Sequence, residues 1–574
     1  MPVFSDLQSY SFAHLRKDLL AGLSIACLVI PQAIAYALLA GLPLSSGIYS
    51  AIFGAFLVAL FSHARGLISG PSTAIAMLVQ TVVTSIAIQE IQGDLIEVLA
   101  HLLALVGLLH LLLSLCNISK CLQFVSRSVM LGYFSGLSMV ICVEQLFHFF
   151  ALKKPEGSQV LIHKILYLIG HGSSISYLPI LFGTIGLGFL FVVRKKAPAF
   201  PAALFLLVGS SLTFSFFPQI ESLPTLSRYA PLTFSVDLYF PRFRLDLLQQ
   251  LFPLGLAIAF LGVLEVFSVA KALSITTKEP VRCNQEVFSL GVANLFLSLF
   301  PCAMPTSASI TRSLLAQNMG IKTRIGALSS SVFVYGLLVF FWSYVAYIPV
   351  VSLSSLLIFS AFRIIDCKAI KLCLRATKED AFIFLFTFFL CMIFRLDIAF
   401  IIGVLFSIGF YLRSAATPHF QEYAFDYAGR LSIIRPNTKK HSKVRIIGIG
   451  GELFFGMVDV LEGVIANIAR DQDVKVVVLR LNNVHYVDGS MCLAIVQLHE
   501  HLQSTGRVLM ISGLTEKVWR TLSRAKVLEK MQPAHFFLRD ETRPQLSTWK
   551  ACLRAEEILS DQEQRFSVSV DEHL

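Results

Sequence analysis

The residues of this chain best suited to chemistry gather at two places where an apolar run begins. Gly70-Pro71-Ser72-Thr73 and Pro305-Thr306-Ser307 each set a proline and hydroxyl side chains at the head of such a run, the residue types that start and cap a helix. A helix start leaves backbone N–H groups unpaired and carries partial positive charge, so two starts facing each other inside a bilayer make an anion site. Broken helices in corresponding positions of two halves are the sequence mark of a secondary-transporter binding site. Taken alone, either proline reads equally well as the end of a loop.

Charged residues inside apolar runs are costly and are functional candidates by default. Glu265 stands in Phe260-Leu261-Gly262-Val263-Leu264-Glu265-Val266-Phe267, with no basic residue until Lys271. A carboxyl that gains and loses a proton beside an anion site couples proton movement to anion movement; a carboxyl tied to backbone amides or hydroxyls is the structural alternative. Arg312 follows Thr311 in the run after Pro305. There it either adds fixed positive charge behind the helix start or snorkels to the interface. Gln32 and Tyr36, four residues apart, present an amide and a hydroxyl on one helix face. Glu144 reads as near the outer end of its run, within reach of water, and receives no role.

These residues need a membrane to hold them. Hydrophobic residues make up 55% of 574, charged residues only 14%, and mean hydropathy is +0.72, which excludes an ordinary soluble domain. Apolar runs near the 20-residue crossing length recur from Asp18 to Arg413. The predicted spans are roughly 18–40, 43–62, 68–89, 94–116, 124–150, 174–193, 198–217, 247–273, 286–303, 306–319, 325–348, 350–365, 380–396 and 397–413. An even number puts both ends on one side.

Most loop Lys and Arg, among them Arg127, Lys195, Lys196, Lys368, Lys371 and Arg375, fall on the N-terminal side of this map; Lys153, Lys154, Lys164, Arg228, Arg242, Arg244 and Arg395 fall on the other. Both termini are therefore expected in the cytoplasm. The net charge of +11 reflects inner loops, not nucleic-acid binding. The 11 Cys are scattered without a CxxC pair, so neither a disulfide framework nor a zinc site is indicated. Met1 to Lys17 lacks the pattern of a cleavable signal, so the first run is retained as a span. With no metal-spaced His/Asp cluster and no GxxxxGKS/T phosphate loop, no enzyme and no cofactor beyond a coupling ion are expected.

The segment Val29-Ile30-Pro31-Gln32-Ala33-Ile34-Ala35-Tyr36-Ala37, then Ala40-Gly41-Leu42-Pro43 and Gly47-Ile48-Tyr49-Ser50-Ala51, resembles the signature of the SulP anion permeases, relatives of the SLC26 transporters. Ser69-Gly70-Pro71, Gly262-Val263-Leu264-Glu265 and Ser309-Ile310-Thr311-Arg312-Ser313 follow in the family's order. The resemblance implies a polytopic α-helical fold of 14 segments in a 7+7 inverted repeat. Spans one to four and eight to eleven form a core domain against a gate domain made of the others. It places the anion between the N-termini of spans three and ten and implies substrate-binding roles for Gln32, Tyr36, Ser72, Thr73, Ser307, Thr311 and Arg312, with Gly70, Pro71 and Pro305 breaking the helices. Glu265 is then the coupling residue, for H+ or, as in some family members, Na+.

Residues 443–545 alternate β-rich and helical runs: strands at Val444–Ile449, Val474–Leu481 and Val508–Ser512, helices at Met457–Ala469 and from Gly489. Val487-Asp488-Gly489-Ser490 resembles the strand-to-helix turn of STAS domains, with Gly489 where regulatory members carry a phosphorylatable Ser. Asp488 is expected to cap the helix, and Ser490 lies one place late. The predicted organisation is a transport domain over 1–417, a linker over 418–442, the STAS domain, and a polar, mobile tail over 546–574. The function expected is secondary active transport of a small inorganic anion, sulfate by proton symport, through elevator-like or rocking motion. Bicarbonate or dicarboxylate transport and a passive channel or exchanger are the alternatives. The expected setting is a bacterial inner membrane, as a STAS-assisted homodimer.

Overall fold

The computed structural model describes residues 11–87, 91, 93–117, 126–152, 161–171, 176–197, 200–216, 224–228, 237–278, 280–415, 419–425, 431–433, 443–458, 461, 463, 471 and 473–571. Lys153 and Lys154 lie outside them. Two compact units are present, Met1–Ile408 and Gly409–Leu574.

In the first unit the apolar runs are helical because a backbone in hydrocarbon must satisfy its own polar groups. In chain order the helices are α1 (Phe12–Ala40), α2 (Leu44–Phe61, with a π-helical stretch at Ser50–Gly54), α3 (Thr73–Ala87), α4 (Leu95–Leu115), α5 (Arg127–Phe149), α6 (Leu161–Gly170), α7 (Tyr177–Lys196) and α8 (Ala202–Phe216). There follow α9 (Leu245–Thr277), α10 (Cys283–Leu297), α11 (Ile310–Asn318), α12 (Ile325–Val345), α13 (Val350–Ile364), α14 (Cys367–Ala376), α15 (Lys378–Ile393) and α16 (Leu396–Ala415). Each predicted span overlaps one of these helices, with ends displaced by a few residues. The ten-residue α6 and α14 were not expected, because a search for 20-residue runs passes over short helices. Among the described residues, seven of these helices, and α13 taken together with α14, are long and apolar enough to cross a membrane. At 1.5 Å per residue, α3 with 15 residues reaches about 22 Å and α11 with nine about 14 Å, both short of a hydrocarbon core of about 30 Å.

Packing partners come in matched couples when the first seven spans are exchanged for the second seven. α3 packs on α9 as α11 packs on α1, α4 on α9 as α12 on α1, α4 on α10 as α12 on α2, and α5 on α15 as α13 on α7. This is the contact pattern of an inverted repeat, in which one folding solution is used twice. α1 and α2 meet at backbone contact: a Cβ on Gly47 would stand 2.1 Å from the Ala33 carbonyl oxygen.

The second unit is a six-stranded sheet in the order β4 (Leu431–Ile433), β3 (His419–Phe425), β5 (Val444–Leu453), β6 (Val476–Val487), β7 (Val508–Leu514) and β8 (Phe536–Leu538). The last four strands are parallel, and β3 and β4 are antiparallel additions at the edge. Because side chains alternate along a strand, Val477 and Leu479 face one core with α17 (Gly489–Ser504) and α18 (Glu516–Arg524), while Val476 and Val478 face another.

Two expectations are corrected here. Residues 419–425 and 431–433 are not linker but sheet strands, since β3 pairs with β5 from His419↔Gly450 to Tyr423↔Ile446. Residues 546–571 are not an unstructured tail but a helix, α19 (Leu546–Asp571), whose Ala551 and Ala555 are buried against the second sheet face. Spaced polar residues hid an apolar stripe that the sheet needs as a cover. The expected helix at 457–469 falls largely outside the described residues.

Candidate anion site

The two helix starts are joined by a two-strand ladder. β1 of the first unit's small sheet (Ser69–Gly70) pairs antiparallel with its partner strand Ser307–Ala308, in the register Ser69↔Ala308 and Gly70↔Ser307. The turn ahead of Ser69 is pinned by the buried carboxylate of Glu286, which accepts from Ser62 Oγ at 2.6 Å and from the N–H groups of His63 and Ala64 at 2.8 Å. Ser72 caps α3, its hydroxyl accepting from Ile75 N–H at 3.3 Å. The second start differs from expectation: Pro305 and Thr306 precede the ladder strand, and Ser309 is the cap of α11, accepting from Arg312 N–H. Backbone groups of a crossing segment need partners, which the ladder and Asn294 supply; Asn294 accepts from Thr306 N–H at 2.8 Å.

In front of the two starts lies a cavity of about 240 Å³. Gln32 and Tyr36 line it from α1, Pro71, Ser72 and Thr73 from the head of α3, Glu265 and Ser268 from α9, and Ser309, Thr311 and Arg312 from α11. Phe134 of α5 and Ser360, Arg363 and Ile364 of α13 complete the wall. The structure thus brings together Gln32, Tyr36, Ser72, Thr73, Thr311, Arg312, Glu265 and Pro71. Gly70, Pro305 and Ser307 are not on the wall; Ser307 is fully buried in the ladder, with Ala308 lining the cavity beside it.

Arg312 does not snorkel. It is 1% exposed and donates from Nη2 to the Pro71 carbonyl at 2.8 Å, so α11 holds the head of α3 through a guanidinium. Among the described residues its Nε and Nη1 have no hydrogen-bond partner. Gly70, at φ +141°, makes room for it, since a Cβ there would stand 2.7 Å from Nη1. Glu265 accepts from Ser72 Oγ at 3.1 Å and shares the wall with Arg312. It is therefore not the isolated carboxyl its own helix suggests, because its neighbours come from α3 and α11. The guanidinium groups of Arg312 and Arg363 and the carboxyl of Glu265 all line this cavity.

Arg363, Ser360 and Phe134 were missed as wall residues. Ser360, Arg363 and Ile364 have the i, i+3, i+4 spacing of one helix face, a signal obscured because Arg363 lies at the end of its predicted span. Glu144 is also corrected: it is fully buried, paired with Lys164 of α6 and hydrogen-bonded by Gln80 of α3 at 3.4 Å. In the second unit Asp488 caps α17, accepting from Met491 N–H and from Phe455 N–H at 2.8 Å each, while Ser490 is exposed in the first turn.

Comparison with known proteins agrees with this architecture. Residues 15–387 match the sulfate permease family and residues 435–542 the STAS domain. The putative sulfate transporter YvdB of Bacillus subtilis is 26% identical over 92% of this chain and 97% of its own length. The chloroplastic sulfate transporter 4.1 of Arabidopsis thaliana is 27% identical over 94% of this chain and 81% of its own. The murine Slc26a9 anion transporter in its inward-facing state superposes with a TM-score of 0.86 at 19% identity, covering 97% of this chain and 94% of that one, a likeness of fold. With broken helices meeting at a basic cavity and a family match over most of its length, the chain belongs to the sulfate permease family, as an integral membrane protein with a C-terminal STAS domain.

Proposed function

We propose that this protein is a secondary active anion transporter that takes up sulfate together with protons. The observation that carries the reading is the cavity at which the heads of α3 and α11 meet, with Arg312 and Glu265 on one wall. Helix N-termini and a buried guanidinium supply what an oxyanion requires. The relatives named as sulfate transporters supply the choice of anion. Protonation of Glu265 strengthens anion binding, and release of both together drives the carrier's return. α1–α4 and α9–α12 form a core that moves against a gate of α5, α7, α8, α13, α15 and α16. The excess of Lys and Arg in the loops on the N-terminal side supports a cytoplasmic setting for both termini. The bacterial relative favours an inner membrane as the setting, with the STAS domains aiding a homodimer.

The test is uptake of labelled sulfate, bicarbonate and a dicarboxylate into proteoliposomes under an imposed pH gradient. Sulfate should accumulate uphill when the side of entry is acid, and should not need sodium. Downhill flux alone would make the protein a channel or exchanger, and a sodium requirement would reassign Glu265 to that ion.

A further inference from the structure

α14 is a short amphipathic helix. It joins α13 to α15, and its ten residues span about 15 Å, half a hydrocarbon core. Cys373 is its buried contact with α5 and α15. Lys368, Lys371 and Arg375 follow one another at i, i+3 and i+7, forming one basic stripe, and Leu372 and Leu374 flank that stripe at 72% and 42% exposure. Basic residues beside exposed leucines are the composition of a helix resting on a membrane surface.

Between α14 and the head of α5 lies a second cavity, of about 450 Å³, separate from the anion site. Its apolar wall includes Leu131 and Leu372, and Arg127 and Lys368 stand on the same rim. Two carboxylates share the cavity, each with hydrogen-bond donors of its own. Asp366 accepts from Ala369 N–H at 3.0 Å; Asp380 accepts from Ser128 Oγ at 2.6 Å and from Thr377 Oγ1 at 2.9 Å. Arg127 and Lys368 have no ion-pair partner among the described residues. A slot with basic residues at its rim and leucines along its wall matches an amphiphile: a phosphate at the mouth and an acyl chain along the leucines. A free inorganic anion would leave the leucine wall bare.

We propose that the cavity between α14 and α5 is a binding site for an anionic phospholipid of the cytoplasmic leaflet, with Arg127 and Lys368 holding the head-group phosphate. A lipid there ties the connection of two gate helices to the head of a third.

The experiment uses the full chain in detergent, titrated with phosphatidylglycerol or phosphatidylcholine and read by native mass spectrometry. A basic residue near the surface is worth about fivefold in attraction to anionic lipid. Arg127→Gln with Lys368→Gln should therefore cut phosphatidylglycerol retention by roughly thirtyfold and leave phosphatidylcholine unchanged. Arg127→Lys with Lys368→Arg should keep most of the retention. Lys195→Gln with Lys196→Gln, which removes equal charge from the exposed end of α7, should keep it also. Equal loss in that control would show a diffuse field and overturn the site, as would unchanged retention in the Gln pair. Displacement of phosphatidylglycerol by millimolar inorganic phosphate would make the slot a soluble-anion site and equally overturn the proposal. All variants bear changes on exposed side chains, and an unchanged elution volume verifies their fold.

Discussion

Replacing Gly70, which is not itself on the cavity wall, by alanine should damage sulfate binding. At φ +141° an alanine is strained by about 1–3 kcal/mol. Its Cβ would also stand 2.7 Å from Arg312 Nη1, and the guanidinium cannot simply swing away, because it is buried and bonded to the Pro71 carbonyl at 2.8 Å. Losing that charged hydrogen bond adds roughly 1.5–3 kcal/mol. For binding, a guanidinium about 4 Å from a divalent anion that retreats by about 1 Å loses roughly 1.6 kcal/mol of attraction at an effective dielectric near 20, about tenfold or slightly more in Kd. Gly70→Ala should thus lower the melting temperature in detergent and weaken sulfate binding, measured by radioligand binding, at least tenfold. Gly336→Ala is the control: a Cβ there meets nothing within 4 Å, so it should leave Kd unchanged and raise stability by about 0.5–1 kcal/mol. If Gly70→Ala bound sulfate as the parent does, the ladder would not be what seats Arg312.

Three further outcomes follow from named contacts. Glu265→Gln, which keeps the shape but cannot titrate, should abolish proton-driven accumulation in proteoliposomes while sulfate exchange persists in part; unchanged pH-dependent uptake would remove Glu265 from coupling. Lys164→Met removes the cation that pairs with the fully buried Glu144 and should cost up to roughly 3–5 kcal/mol in thermal unfolding. Adding Glu144→Gln should recover most of it, so a double variant as unstable as the single would contradict the pairing. Asp488→Ala removes the acceptor for Met491 and Phe455 N–H and should cost about 1–2 kcal/mol. Hydrogen exchange at those two amides of the full chain is the measure; protection equal to the parent's would show that the cap is idle.

The amino-acid sequence alone determined the membrane class, the helical runs, the two broken starts and the family, because these depend on local chemistry. A bilayer demands long apolar runs whatever surrounds them, and proline with hydroxyl residues marks a helix head by its own geometry. Gln32 and Tyr36 could be paired in advance because a helix fixes which residues share a face. Tertiary structure decided the rest. The true cap of α11 is Ser309 rather than the residues beside Pro305, because a ladder between segments more than 200 residues apart claims Ser307 and Ala308. Glu265 sits with Ser72 and Arg312, Glu144 with Lys164, and Arg363 on the cavity wall through contacts between different helices, which no periodicity along one helix encodes. The strands at 419–433 and the helix at 546–571 likewise exist because a sheet edge and a sheet face elsewhere in the chain receive them. Short polar segments carry too little local preference to declare a structure, and the partner that supplies the missing free energy is visible only once the chain has folded.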